Sequence, residues 1–162
     1  FRASERTFQL LTQVAGRAGR GDDAGRVIVQ TFLPDHYAIE LARTHDYDTF
    51  YREELERRRP HGYPPFRSLW LFGLSGLDPK AVEAAASDLA QRASAVPGAE
   101  SVEVLGPAPA PLARIRDRYR WHVMLLGAPT SLRRASQALF ELTRGRYKGV
   151  DLRVVPSPVQ ML

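Results

Sequence analysis

The sequence predicts two parts: an α/β segment over residues 1–60, then an α+β domain over residues 61–162 in βαββαβ order. Three observations carry this reading. Apolar residues recur at helical spacing in several stretches, short runs of β-favouring residues flank two of those stretches in the second part, and His61-Gly62-Tyr63-Pro64-Pro65 interrupts the chain between the parts. Proline removes a backbone donor and biases its predecessor toward extended geometry, so no helix crosses that point and the domain boundary falls there.

The first helix is expected from Ser4 to about Ala18, with Phe8, Leu11 and Val14 or Ala15 on one stripe, Ser4 as N-cap and Glu5 near the positive end of the dipole. Gly19, Gly21 and Gly25 then turn the chain, and Arg26 to Phe32 reads as a β-strand bounded by Pro34. Asp35 opens a short helix to about Ala42. Another follows from Asp46 or Tyr47 to Arg59, closed by Arg57-Arg58-Arg59 at the negative end of its dipole. Glu53, Glu54 and Glu56 pair with those arginines at i, i+3 and i+4 spacing.

Past the linker, strands are expected at Phe66–Leu74, Ser101–Leu105, Tyr119–Leu126 and Asp151–Val155. Helices are expected at Asp78–Val96, burying Val82, Ala85 or Ala86, Leu89, Ala93 and Val96, and at Ser131–Arg144, burying Leu132, Ala135, Leu139 and Leu142. This order is the split βαβ or ferredoxin-like arrangement, which places both helices on one face of an antiparallel sheet. The Pro-Ala alternation from Pro107 to Pro111 reads as a stiff loop.

Composition narrows the chemistry. With no Cys among 162 residues, a disulfide framework, a thiol nucleophile and a Cys-ligated zinc are excluded within this span. The apolar stretches, such as Leu69 to Phe72 and Val123 to Leu126, fall far short of the roughly 20 residues needed to cross a bilayer. The chain opens on Phe1 without signal-peptide character, so it is expected to begin inside a larger protein. Its 23 cations are 21 Arg and 2 Lys. Guanidinium is the planar, bidentate partner of phosphate and carboxylate; a GC-rich coding sequence gives the same bias, and composition leaves both explanations open. The net charge of +5 is uneven: residues 1–60 are neutral, residues 61–110 carry −2, and residues 111–162 carry +7. A local field of that kind points to an anionic partner.

Two constellations stand out. Gln13, Arg17 and Arg20 are spaced i, i+4 and i+7, so a continuous helix projects them from one face. Gly16 and Gly19 interrupt that helix at a cost of roughly 1 kcal/mol each, and they let another surface approach the backbone. Two guanidiniums on one face can clamp a polyphosphate and stabilise charge on a transferring phosphoryl group; the same spacing also suits arginines that serve a helix terminus. The second constellation is Arg114, Arg116, Arg118 and Arg120, at every other position beside Tyr119 and Trp121. An extended chain lines all four on one face, whereas a hairpin turned at Arg116-Asp117 crowds them at its tip. Either geometry joins phosphate-neutralising cations to aromatic rings that can stack on bases. Trp121 and Val123 are expected in the core, with the arginines in contact with phosphate.

Gln13-Val14-Ala15-Gly16-Arg17-Ala18-Gly19-Arg20 resembles motif VI of superfamily 2 helicases. With the run from Phe1, and with Tyr63-Pro64-Pro65-Phe66, Leu105-Gly106-Pro107-Ala108-Pro109 and Arg118-Tyr119-Arg120-Trp121, the chain resembles the PriA (primosomal protein N′) family of replication-restart helicases. The resemblance implies that residues 1–60 are the end of the second RecA-like lobe and its exit helices, and that residues 61–162 are a ferredoxin-like DNA-binding domain. It implies an ATP-dependent 3′ to 5′ DNA helicase that recognises stalled or branched forks and starts primosome assembly in the bacterial cytoplasm, at the nucleoid. Gln13 would then contact the nucleotide or couple it to DNA, Gly16 and Gly19 would adjoin the nucleotide, and Arg17 and Arg20 would reach the phosphates of ATP with Mg2+, one of them as the arginine finger. The family's phosphate-binding loop, magnesium motif and cysteine-ligated zincs are expected upstream, so this piece alone is expected to be inactive.

The resemblance also implies as partners branched and single-stranded DNA, the acidic tail of single-stranded-DNA-binding protein, other primosome proteins and the replicative helicase loader, with no membrane. Arg133 and Gln137, at i, i+4 on the second helix of the βαββαβ part, are the expected contacts for that tail; a solvated helix face has the same spacing. His36, His45, His61 and His122 show no metal-ligand spacing. The ending Val155-Pro156-Ser157-Pro158 departs from the Asp-Pro type usual in the family. A basic nucleic-acid-binding module without enzymatic activity, or a protein-interaction platform, is the rival reading.

Overall fold

The computed structural model describes residues 2–18, 26–97 and 99–158, which fall into two compact units divided between His61 and Gly62. In the first unit, helix α1 runs Ala3–Ala18, α2 Tyr37–Arg43 and α3 Tyr47–Arg58. Its core is Phe8, Ala38, Ala42 and Phe50, with the Phe8 and Phe50 rings stacked at 4.2 Å between centroids. Around it Arg58 donates to Glu5 at 2.9 Å and to Glu54 at 2.6 Å, and the Tyr37 hydroxyl donates to Glu54. Glu54 is thereby buried with its charge fully engaged, as a carboxylate in an apolar setting must be.

Three expectations in this unit are corrected. Ser4 lies inside α1 rather than capping it, because the helix already begins at Ala3. Asp35 does not open α2; His36 is its N-cap, its Nδ1 accepting from the Ala38 N–H at 3.2 Å. Residues 26–32 are not a strand. Ile28 is 80% exposed and Phe32 wholly so, and the described residues of this unit supply no other strand to pair with. Alternation and β-branching are satisfied only when a neighbouring ladder exists.

In the second unit the elements are β1 Ser68–Gly76, α4 Pro79–Ala93, β2 Val102–Ile115, β3 Arg118–Gly127, α5 Pro129–Thr143 and β4 Val150–Pro156, with a short 3-10 turn at Ala99–Ser101. The strands form one sheet in the order β2-β3-β1-β4, and every neighbouring pair is antiparallel. Alternate residues of the sheet, Phe72, Leu74, Val123 and Leu125, pack with Val82, Ala86 and Leu89 of α4 and Leu132, Ala135 and Leu139 of α5 in a single core. Both helices therefore cover the same face.

The Pro107–Pro111 stretch belongs to β2, not to a loop. Because β2 is an edge strand, its prolines cost no ladder bond on the solvent side, and the pairing simply shifts register between Leu105 and Ala108 and again between Pro109 and Arg114. Gly106 makes the first shift possible: its φ is +101°, and a Cβ there would sit 2.9 Å from the His122 carbonyl oxygen. Leu142 is exposed rather than buried; the stripe of α5 closes instead on Thr143, whose hydroxyl bonds the Leu139 carbonyl at 2.8 Å. Asp78 caps α4 through a 2.9 Å bond from the Lys80 N–H, and one turn short of the helix end Asp88 gathers Arg92, Arg146 and Tyr147, tying α4 to the loop before β4.

Candidate nucleic-acid interface

The arginine series meets a turn at its middle. Arg116 and Asp117 have φ of 49° and 61°, the left-handed pair of a two-residue hairpin, and Ile115 pairs with Arg118 across it. Arg114 pairs with Tyr119, and cross-strand partners share a face. Tyr119 and Trp121 pack against the helix-side core, so Arg114 lies on that side, its guanidinium 5.3 Å from the Tyr119 ring and 2.6 Å from Asp117. Arg118 and Arg120 project from the opposite, helix-free face. The other three guanidiniums are thus divided, one and two, about an exposed Arg116, and the candidate stacking rings stand on the other side of β3 from Arg118 and Arg120.

On the helix-free face the register sets residues in rows. Arg120 lies across from Ser75 and Asp151, and the next row is His122, Gly73 and Arg153. Beyond it come Met124, Leu71 and Val155, so this face is basic toward the hairpin and apolar at its other end. Arg118 is held by Asp151 and by the Ser75 carbonyl at 3.0 Å. Arg120 and Arg153 make no ion pair among the described residues, and the Nη1 of Arg120 is buried without a hydrogen-bond partner. His122 is buried, and desolvation followed by the nearby Arg120 charge pushes its imidazole below the ordinary value, favouring the neutral form. Arg153 does not stand out in the sequence; its signal is the alternation of Asp151, Arg153 and Val155 against core-facing Val150, Leu152 and Val154.

The other expected site residues are dispersed. Gln13, Gly16 and Arg17 are exposed on α1, Arg17 has no ion pair among the described residues, and a Cβ on Gly16 would meet nothing within 4 Å. Gly19 and Arg20 lie outside the described residues. A groove of about 570 Å³ in this unit, lined by Leu11, Ala15, Val27, Val29, Ile39 and Arg43 among others, includes none of Gln13, Gly16 and Arg17. Arg133 and Gln137 are both exposed on α5, with half-exposed Phe140 on the same helix. Among the described residues no three His, Cys, Asp or Glu side chains converge as metal ligands, and no helix is long and apolar enough to cross a membrane.

Comparison with known proteins bears on the second unit above all. A family model described as the primosomal protein N C-terminal domain matches residues 59–159. The chain is 46% identical over 125 residues to the replication restart protein PriA of Bacillus subtilis, 42% to that of Synechocystis and 38% to that of Thermotoga maritima. Each of these alignments covers 77% of the chain but only 15 to 16% of the relative. The matched family model takes in the whole four-stranded sheet, both helices packed on it and the basic face, which is well over half of the chain, and the chain accordingly belongs to the primosomal protein N C-terminal domain family.

Proposed function

We propose that this chain is the C-terminal part of an ATP-dependent 3′ to 5′ DNA helicase that acts in replication restart. Residues 62–162 form its ferredoxin-like DNA-binding domain, and residues 1–61 close a RecA-like lobe. The observation that carries the reading is the basic face of the sheet, Arg118, Arg120 and Arg153, inside the span matched by the family model. The strand order and uniform antiparallel pairing support the ferredoxin-like assignment. Such a face neutralises phosphates and releases counterions, which gives sequence-independent affinity for a branched duplex.

Exposed Gln13 and Arg17, with open space over Gly16, fit the approach of a nucleotide polyphosphate to α1. Bound ATP with Mg2+ supplies the γ-phosphoryl group for hydrolysis, and Arg17 and Arg20 would place positive charge on it from across a cleft completed by residues outside this chain. The acidic tail of single-stranded-DNA-binding protein would dock at Arg133 and Gln137.

The test of the DNA-binding reading is fork-DNA affinity of the 162-residue chain against salt concentration, measured by fluorescence anisotropy. Replacing Arg114, Arg116, Arg118 and Arg120 by Ala is expected to weaken binding and flatten the log–log salt slope by about one for each phosphate that is no longer neutralised. Unchanged affinity and slope in that variant refute it.

A further inference from the structure

We infer that the helix-free face of the sheet, centred on Gly73, is a seat for the sugar–phosphate backbone of DNA, with Arg120 and Arg153 as its phosphate ligands. This rests on the DNA-binding reading above and names the surface that carries it. The seat is made by three strands distant in sequence. Gly73 of β1 lies between His122 of β3 and Arg153 of β4, and Arg120 stands one row toward the hairpin. Strands spaced about 4.8 Å apart put the Cα atoms of Arg120 and Arg153 roughly 12 Å apart on the diagonal, close enough for two long side chains to bracket one stretch of backbone. At its centre Gly73 has no side chain, and a Cβ built there would find its nearest neighbour, the Arg153 carbonyl oxygen, 4.0 Å away. A side chain at this position would have room, although His122 and Leu71 beside it on this face are buried.

Charge points the same way. The strands put three guanidiniums, Arg118, Arg120 and Arg153, and two carboxylates, Asp151 and Glu103, on this face, and both carboxylates are already taken, by Arg118 and by Arg67. Arg120 and Arg153 are left without an ion pair among the described residues, and the orphaned Nη1 of Arg120 is a donor whose desolvation is uncompensated. A phosphodiester reached by exposed Arg153 and by the accessible part of the Arg120 side chain supplies the missing countercharge, while the buried Nη1 itself lies out of its reach. Tyr119 and Trp121 belong to the helix side and the His122 imidazole in these rows is buried, so the contact reads backbone and not bases.

The experiment uses the 162-residue chain, a fluorescein-labelled fork of arbitrary sequence, and anisotropy titrations from about 50 to about 200 mM salt. Arg153→Ala lies outside the hairpin arginines and is expected to weaken binding about five- to tenfold at about 0.1 M salt and to lower the slope by about one. Gly73→Val fills the floor with a β-favouring side chain; it is expected to lower affinity at least as much while leaving the thermal transition in place. Arg153→Glu should be worse than Arg153→Ala. If Arg153→Ala and Gly73→Val both bind as the wild type does while the hairpin variants lose affinity, this seat is overturned and the DNA-binding reading stands. A wild-type chain with no salt-dependent affinity for the fork overturns both. Polyglutamate that competes as well as unlabelled fork at equal charge also overturns the seat, because it assigns the face to acidic peptide.

Discussion

Removing the charge of Asp88 tests how the sheet's β4 edge is anchored. The Asp88 carboxylate, 29% exposed at its side chain, accepts from Arg92 Nε at 2.8 Å, Arg146 Nε at 3.0 Å and the Tyr147 hydroxyl at 2.9 Å. The Arg92 bond holds the carboxyl well below the usual carboxylate range; burial opposes this, and Arg146 and Tyr147 reinforce it. In Asp88→Asn the shape is kept and the charge is lost. The Tyr147 bond to a charged acceptor, discounted for solvent, contributes about 1 kcal/mol, and the half-exposed Arg146 pair adds about 0.5 kcal/mol, so a loss of about 1.5 kcal/mol is expected at pH 7. Because the folded pKa is depressed, that stability is fully present above the unfolded Asp value of about 3.9 and is lost as pH falls through the lower, folded value. The two curves should therefore run parallel from pH 7 to about 5 and converge below about 4. Urea denaturation followed by tryptophan fluorescence reads this unit alone, since both tryptophans of the chain, Trp70 and Trp121, lie in it. Equal midpoints at pH 7, or a gap that persists unchanged at pH 3, would refute the reasoning.

Leu139 is fully buried between α5 and the sheet, and Leu139→Ala is expected to cost about 3 kcal/mol through reduced transfer energy and a residual cavity, whereas exposed Leu142→Ala should cost under about 0.5 kcal/mol. Tryptophan-detected urea melts of the two variants check this, and similar losses in both would show that the stripe of α5 has been misread. In the longer helicase proposed above, Arg17→Ala and Arg20→Ala are expected to keep nucleotide affinity and lose most DNA-stimulated ATP turnover. Full turnover in both variants removes the phosphate role.

The βαββαβ order was legible because it rests on two robust signals, the helical stripes of Val82 to Leu89 and Leu132 to Leu139 and the apolar runs of β1 and β3. Two errors share one cause. Residues 26–32 have strand propensity and no pairing partner among the described residues, while Pro107–Pro111 have poor propensity and an available edge. Strand formation is decided by neighbours across the ladder, and those are distant in sequence. Leu142 failed for a local reason: the stripe of α5 at Leu132, Ala135, Ser136 and Leu139 reaches Thr143 next, where a hydroxyl can be buried because it bonds back to the helix.

The candidate interface turned on parity. In an unbroken strand, residues two apart share a face, so Arg114 and Arg118 would stand together. A two-residue turn pairs positions three apart, Ile115 with Arg118, and so makes Arg114 the partner of Tyr119. Parity inverts across the turn. Arg114 on the β2 side shares a face with the odd-numbered residues of β3, and a spacing argument that treats the segment as one ribbon assigns it to the wrong side. Arg153 joins Arg118 and Arg120 on the helix-free face from the opposite edge of the sheet, through β4 pairing with β1. The positive surface is therefore a property of the strand order β3-β1-β4, and no contiguous motif encodes it. It follows that shifting the register of β4 by a single residue would bury Arg153 toward the core and expose Leu152 in its place, removing a phosphate ligand without altering any residue of the arginine series.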